Sequence, residues 1–281
     1  MSDLPKGTEE LVARALAEDL GSGDVTSEAT VPEEAEAVGR ITLKEPGVVF
    51  GLDVAREVFR QAGAAEFEAL VDEGRWLDEV PQDIAQVTGP ARAILAGERT
   101  ALNLLGHLSG VATSTAQFVA AVEGTGARVL DTRKTTPGLR NLEKAAVEAG
   151  GGVNHRFGLY DAVLIKENHI AMAGGVAEAV AACRESTPEL PVEIEAETVT
   201  QVEQAIEAGA DRILLDNMGG ADLAAAVALR EAAVDFAPSL EASGGIDLET
   251  AGAIAATGVD FISVGSITHS APTLDFSLLL D

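Results

Sequence analysis

The stretch VEIEAETVTQVEQAIEAGADRILLDN, residues 192–217, decides the fold. It opens with a short β-rich run, VEIEA, and passes through the helical pattern TVTQVEQAIEAG, whose closing glycine suits a helix C-cap. It ends in a second β-rich run, RILLD, at 212–216. Strand, helix and strand in that order predict two parallel strands joined by a crossover helix. Each strand also ends in a carboxylate, Glu195 on the first and Asp216 on the second.

The same alternation extends both ways. ARVLD, AVLIK at 162–166, SLEAS at 239–243 and FISVG at 261–265 read as strands, with helical runs such as GVAEAVAACRES, DLAAAVALREAAV and LETAGAIAATG between them. Chemistry follows nearly every strand: Asp131 to Lys134, then Lys166, Glu195, Asp216, Ser243-Gly244-Gly245 and Gly265-Ser266. Convergence from the C-terminal ends of many strands marks a barrel, whereas a doubly wound sheet concentrates its site at one crevice. Six units rather than eight predict an open, incomplete α/β barrel over 109–269.

The first hundred residues follow another pattern. A helix at 8–20 precedes short alternating segments, EAVGRITL, GVVF, EFEALV and ARAILA, around one helix near DVAREVFRQAG. This predicts a small α+β domain over 1–108, with a long apolar-striped run from Glu98 bridging to the barrel. GSGDVT at 21–26 lacks the third glycine and the preceding strand of a dinucleotide fingerprint, so a Rossmann domain is rejected.

Composition narrows the function classes. The 281 residues are 47% hydrophobic with a mean hydropathy of +0.17, and no apolar run is long enough for a membrane helix. The first twenty residues carry acid and no basic stretch before an apolar core, so a secretory signal is not expected and a cytoplasmic location is. One cysteine, Cys183, leaves no intramolecular disulfide and reads as a packing residue. The net charge of −27 excludes nucleic acid as a partner; with only five lysines, it predicts a solvated acidic surface suited to concentrated salt.

Against that background, residues 128–166 hold seven of the 19 bases and only four acids. Such a local inversion predicts an electropositive pocket for a small anion. Arg140 and Lys144 are expected to pair with acids on an exposed helix face. Arg133, Lys134, Arg156 and Lys166, with His155 beside Arg156, suit a dicarboxylate, because guanidinium forks and point-charge ammoniums grip carboxylates in complementary ways. Glu195 and Asp216 suit a hydrated Mg2+ carrying a pyrophosphate. Ser243, Gly244, Gly245, Gly265 and Ser266 offer backbone N–H groups to a phosphate. His107, His169 and His269 read as hydrogen-bonded helix residues.

Taken together, DTRKTTPGLR (131–140), GGVNHRFGLYD (151–161), LIKENHI (164–170), LLDN (214–217), EASGGI (241–246) and ERTALNLLGHLSGVAT (98–113) resemble the motifs of the quinolinate phosphoribosyltransferases. The resemblance spans essentially the whole chain. It implies a homodimer in which a small N-terminal α+β sandwich, completed by the tail at 270–281, accompanies the open barrel. It assigns Arg99, Arg133, His155, Arg156 and Lys166 to quinolinate, with Arg99 reaching the neighbouring subunit's site. Lys134, Glu195 and Asp216 become the catalytic set that handles phosphoribosyl pyrophosphate and Mg2+, helped by the Ser243–Gly245 turn. The implied reaction gives nicotinate mononucleotide, pyrophosphate and CO2, as a step of NAD biosynthesis. It needs no organic cofactor, because the quaternised pyridine nitrogen is itself the electron sink. Three rivals are weighed: a Schiff-base enzyme built on Lys166, a transferase using nicotinate without decarboxylation, and a non-catalytic anion-binding protein.

Overall fold

The computed structural model describes residues 4–64, 66–233 and 237–281. In chain order the elements are α1 (Thr8–Leu20), α2 (Val25–Thr30), β1 (Glu36–Leu43), β2 (Gly47–Val48), α3 (Leu52–Ala62), β3 (Glu66–Ala69), β4 (Trp76–Leu77), β5 (Gln82–Pro90) and α4 (Ala91–Ala121). They continue with β6 (Arg128–Leu130), α5 (Arg140–Ala149), β7 (Val163–Ile165), α6 (Glu167–Ala173), α7 (Val176–Ser186), β8 (Val192–Ala196), α8 (Val199–Glu207) and β9 (Arg212–Asp216). The last are α9 (Gly220–Ala232), β10 (Ser239–Ser243), α10 (Ala251–Ala255), β11 (Phe261–Ser263), α11 (Ser266–His269) and β12 (Phe276–Leu280). Two compact units result, one of Met1–Ala116, Thr135–Gly151 and Ile267–Asp281, the other of Gln117–Lys134 and Gly152–Ser266.

The first unit is built on the antiparallel sheet β12-β1-β5-β3. Its edge strand comes from the far end of the chain, with Leu278 opposite Ile41 and Phe276 opposite Leu43. Ile41, Leu43, Ile84 and Val87 bury one face of this sheet. The tail reaches β1 by crossing α4 closely: a Cβ on Gly110 would collide with the Pro272 carbonyl, so only glycine fits there. ARAILA, expected as a strand, is instead the start of α4. The strand lies just before it, where Ile84, Ala85 and Val87 are buried, and the alanine-rich run after Pro90 favours helix. Lys144 also departs from expectation, since α5 is packed within this unit and buries both Glu143 and Lys144 completely.

The second unit is the parallel sheet β6-β11-β10-β9-β8-β7. From β7 to β11 each strand pairs with the next in sequence, so the sheet is singly wound, as the repeated units of 192–217 and its flanks predict. β6 and β7 stand at opposite edges without pairing, which makes the barrel open and six-stranded. Ile194, Ile213, Leu215, Leu240 and Ile262 are buried at alternating positions. The intervening residues Glu193, Glu195, Arg212, Leu214, Asp216, Glu241, Ser243 and Ser263 belong to the opposite face of each strand. Register brings Ser243 level with both Asp216 and Ser263, and Glu195 level with Leu214. Among the described residues no helix is long and apolar enough to cross a membrane.

Candidate active site

The loops at the C-terminal edge of this sheet are held by short-range hydrogen bonds that the motifs encode. Fully buried Asp131 accepts the His155 backbone N–H through Oδ1 at 2.7 Å, tying the loop after β6 to the GGVNHRFGLYD segment. The Lys134 N–H donates to Thr132 Oγ1 at 3.0 Å, a local turn that shapes DTRK. The Asp161 carboxylate accepts the N–H groups of Phe157 and Gly158 and folds the following loop. The Lys166 N–H donates to His169 Nδ1 at 2.9 Å where α6 opens, which makes His169 a hydrogen-bonded helix residue, as expected. His107 and His269 are also engaged, His107 by Glu143 on α5 and His269 by the adjacent Ser270. Asn217 is the described non-glycine residue with positive φ (54°); it donates to Asp216 Oδ2 at 2.8 Å and packs so closely on Gly244 (φ 100°) that no Cβ would fit there.

These loops surround a cavity of about 380 Å³. Arg133, Lys134, His155, Arg156, Lys166, Glu195, Asp216 and Ser243, all singled out from sequence, line it together. Gly244 and Gly245 follow Ser243 at the same edge, and Gly265 and Ser266 follow β11, but none of the four is part of the lining. Arg99 is exposed on α4 in the first unit and is likewise outside the lining.

The electrostatics are those of a site awaiting an anion. Burial, and then the neighbouring Arg133 guanidinium, hold the Arg156 guanidinium below its ordinary range. Its Nη1 donates to the Ala162 carbonyl at 3.0 Å, while its buried Nε has no acceptor among the described residues. Two cations crowded together, one with an unmet buried donor, are stabilised by a carboxylate that accepts a forked pair of N–H bonds. Also in the lining, Lys166 Nζ lies 2.6 Å from Glu195 Oε2. An ammonium committed to an ion pair is unsuited to attack a carbonyl, which counts against the Schiff-base rival.

Sequence reading missed several members of the site. Glu197 joins Glu195 and Asp216 in a trio whose carboxylate oxygens lie within 4.8 Å of one another, a hard-oxygen set of the kind that takes Mg2+. Glu241 and Ser263 line the cavity. Beneath it, His155 Nε2 lies 2.8 Å from Glu193 and 3.7 Å from Glu241, and Arg212 Nη1 lies 3.3 Å from Glu241. Burial pushes both carboxyl groups up, Glu241 to about 8 with the neighbouring Glu193 charge as the second cause. The alternation within VEIEA carried the missing signal, because it puts Glu193 on the same strand face as Glu195.

Comparison with known proteins agrees with this geometry over the whole chain. The family described as quinolinate phosphoribosyl transferase, N-terminal domain, matches residues 24–109, and its C-terminal domain matches residues 111–279. The carboxylating nicotinate-nucleotide pyrophosphorylase of Mycobacterium leprae (strain TN) is 45% identical over 273 residues, covering 95% of each chain. A probable enzyme of the same name from Bacillus subtilis (strain 168) is 42% identical and covers 93% of this chain and 89% of its own. The solved nicotinate-nucleotide pyrophosphorylase of Francisella tularensis superposes with a TM-score of 0.93 at 40% identity, covering 98% of this chain and 96% of its own. Through both of its domains, this chain belongs to the quinolinate phosphoribosyltransferase family.

Proposed function

We propose that this chain transfers the phosphoribosyl group of phosphoribosyl pyrophosphate to the ring nitrogen of quinolinate and removes the 2-carboxylate. The products are nicotinate mononucleotide, pyrophosphate and CO2, and the step serves NAD biosynthesis. The observation that carries this reading is a single cavity lined both by Arg156 and its neighbour Arg133 and by Glu195 and Asp216, whose carboxylates group with that of Glu197. It supplies bases suited to a dicarboxylate and carboxylates suited to a metal-bound pyrophosphate in one cavity.

Among the bases, the unmet Nε–H of Arg156 and its neighbouring Nη group form a fork for one carboxylate, and Arg133 and Lys166 supply the remaining charge. Holding the pyridine nitrogen in line with C1 of the sugar is the main contribution, since orientation lowers the barrier of a two-substrate displacement. Lys134, in the lining of the cavity, is assigned to neutralise the departing pyrophosphate. The carboxylates of Glu195, Glu197 and Asp216 would hold Mg2+, which when bound supplies positive charge to the pyrophosphate oxygens. The backbone of Ser243, Gly244 and Gly245, with Gly265 and Ser266, is assigned to the phosphate. Once the nitrogen is quaternised, electrons from the breaking carbon–carboxylate bond remain at C2, stabilised by the adjacent positive charge, and a proton then fills that position. The protein is proposed to act as a cytoplasmic homodimer in which Arg99 completes the neighbouring subunit's quinolinate pocket.

The test is base preference. With phosphoribosyl pyrophosphate and Mg2+, quinolinate should be turned over far faster than nicotinate, because the basic cluster exceeds what one carboxylate needs. Equal use of the two bases would overturn the decarboxylating assignment in favour of a nicotinate transferase.

A further inference from the structure

The interior of the barrel carries ionisable residues to which the proposed function assigns no substrate contact. Glu193 on β8, Arg212 on β9 and Glu241 on β10 occupy inward positions that apolar side chains fill in most barrels. Glu193 and Glu241 are 5% and 0% exposed, and each has one buried carboxylate oxygen without a hydrogen-bond partner among the described residues. Arg212 is fixed from two sides, against Glu241 and over the Phe261 ring at 4.3 Å from its centroid. Groups buried at such expense call for a role in the site above them.

His155 connects them to it. Its Nδ1 accepts the Arg156 backbone N–H at 2.8 Å, and its Nε2 meets Glu193 Oε2 at 2.8 Å. A ring nitrogen that accepts a peptide N–H carries no proton, so the ring is neutral and its proton resides on Nε2, donated to Glu193. Both nitrogens are then committed inside the protein. The ring lines the cavity with both nitrogens engaged by the protein, one of them by the Arg156 peptide.

We propose that Glu193 is a positioning residue for quinolinate binding: through the neutral His155 ring it sets the Arg156 peptide, and so the direction of the Arg156 guanidinium, with the Glu241–Arg212 pair bracing Glu193 from below. His155 acts through Arg156 and makes no hydrogen bond to quinolinate. The inference rests on the reading that Arg156 binds quinolinate, and it deepens that reading by naming what aims the guanidinium. A displacement of the fork by about 1 Å is enough to lose most of its benefit.

Two measurements test it together. In steady-state kinetics, Glu193→Ala should raise the KM for quinolinate about tenfold or more while the KM for phosphoribosyl pyrophosphate stays within about twofold. Glu193→Gln, which keeps an oxygen acceptor for Nε2–H, should recover most of the loss. Equal damage to both KM values, or no rescue by glutamine, would mean general disruption and overturn the proposal. Arg156→Lys is the control for the underlying reading. If it leaves the quinolinate KM unchanged, the binding assignment itself fails; if it raises that KM while Glu193→Ala does not, only the positioning role fails. The second measurement needs no substitution at the cluster. In wild-type protein with 15N-labelled histidine, His155 should show a bare Nδ1 and a protonated Nε2 both before and after saturation with quinolinate. Conversion to imidazolium, or loss of the Nε2–H signature on binding, would make His155 a direct ligand and overturn the proposal.

Discussion

Lys166 Nζ lies 2.6 Å from Oε2 of Glu195, so the residue between β7 and α6 and the carboxylate of the next strand hold each other. The lysine is half exposed and the glutamate mostly buried. The pair joins the two groups of the lining, since Lys166 belongs to the bases and Glu195 to the acidic trio. On the proposed assignment, a quinolinate carboxylate that took over Lys166 would free Glu195 for a cation.

That contact gives a prediction about metal affinity. Lys166→Met should weaken quinolinate binding yet tighten Mn2+ binding to the substrate-free enzyme by up to about fivefold, the scale of a partly exposed ion pair. Titration of Mn2+ followed by electron paramagnetic resonance measures it. Weaker Mn2+ binding in the variant would show that Lys166 does not compete for Glu195.

Glu241 predicts a pH dependence of stability. Its carboxyl is pushed up to about 8 in the folded protein from an ordinary value of 4.5. Between those values the unfolded chain loses this proton and the native one keeps it. The group therefore contributes an instability that grows as pH rises from about 4.5 to about 8, at up to about 1.4 kcal/mol per pH unit. Glu241→Gln removes the titration. Melting temperatures measured from pH 5.5 to 8 should fall less steeply in the variant than in wild type, and parallel slopes would contradict the burial argument.

The chain's charge of −27 makes a separate prediction about salt. Screening of like charges should raise the melting temperature as KCl increases toward molar levels. A flat or falling melting temperature would remove the case for salt adaptation and leave the enzymatic account untouched.

Arg99 tests the shared site. It is exposed on α4 and lies outside the lining of the cavity. If it serves a partner across a two-fold axis, a dimer of one Arg99→Ala subunit with one Lys134→Ala subunit has one site with both residues intact. Random re-association of equal amounts makes half the dimers mixed, so activity should recover to about a quarter of wild type. Verified subunit exchange with no recovery would place Arg99 in its own subunit's site or in none.

How legible these features were in the sequence follows from the range of the interactions that set them. The six barrel strands could be read because each βα unit is local and its strands bury both faces, and the strand-end residues of DTRK, LIKE and LLDN could be read because the architecture brings strand ends together. ARAILA misled because its alternation holds for only a few residues, where helix propensity after Pro90 prevails. Lys144 looked like a solvated helix charge, yet its burial depends on what packs around α5, which no local pattern contains. The Glu193–His155–Glu241–Arg212 cluster was the least legible. Its members come from four segments, and only the register of β8, β9 and β10 makes them neighbours.

The most direct test of the central claim is the fate of the 2-carboxylate. With quinolinate labelled at that carbon, phosphoribosyl pyrophosphate and Mg2+, labelled CO2 should appear one for one with pyrophosphate and nicotinate mononucleotide, and none should appear when phosphoribosyl pyrophosphate is left out. Pyrophosphate release with the label retained in the nucleotide, or CO2 release without phosphoribosyl pyrophosphate, would contradict decarboxylation driven by the quaternised nitrogen.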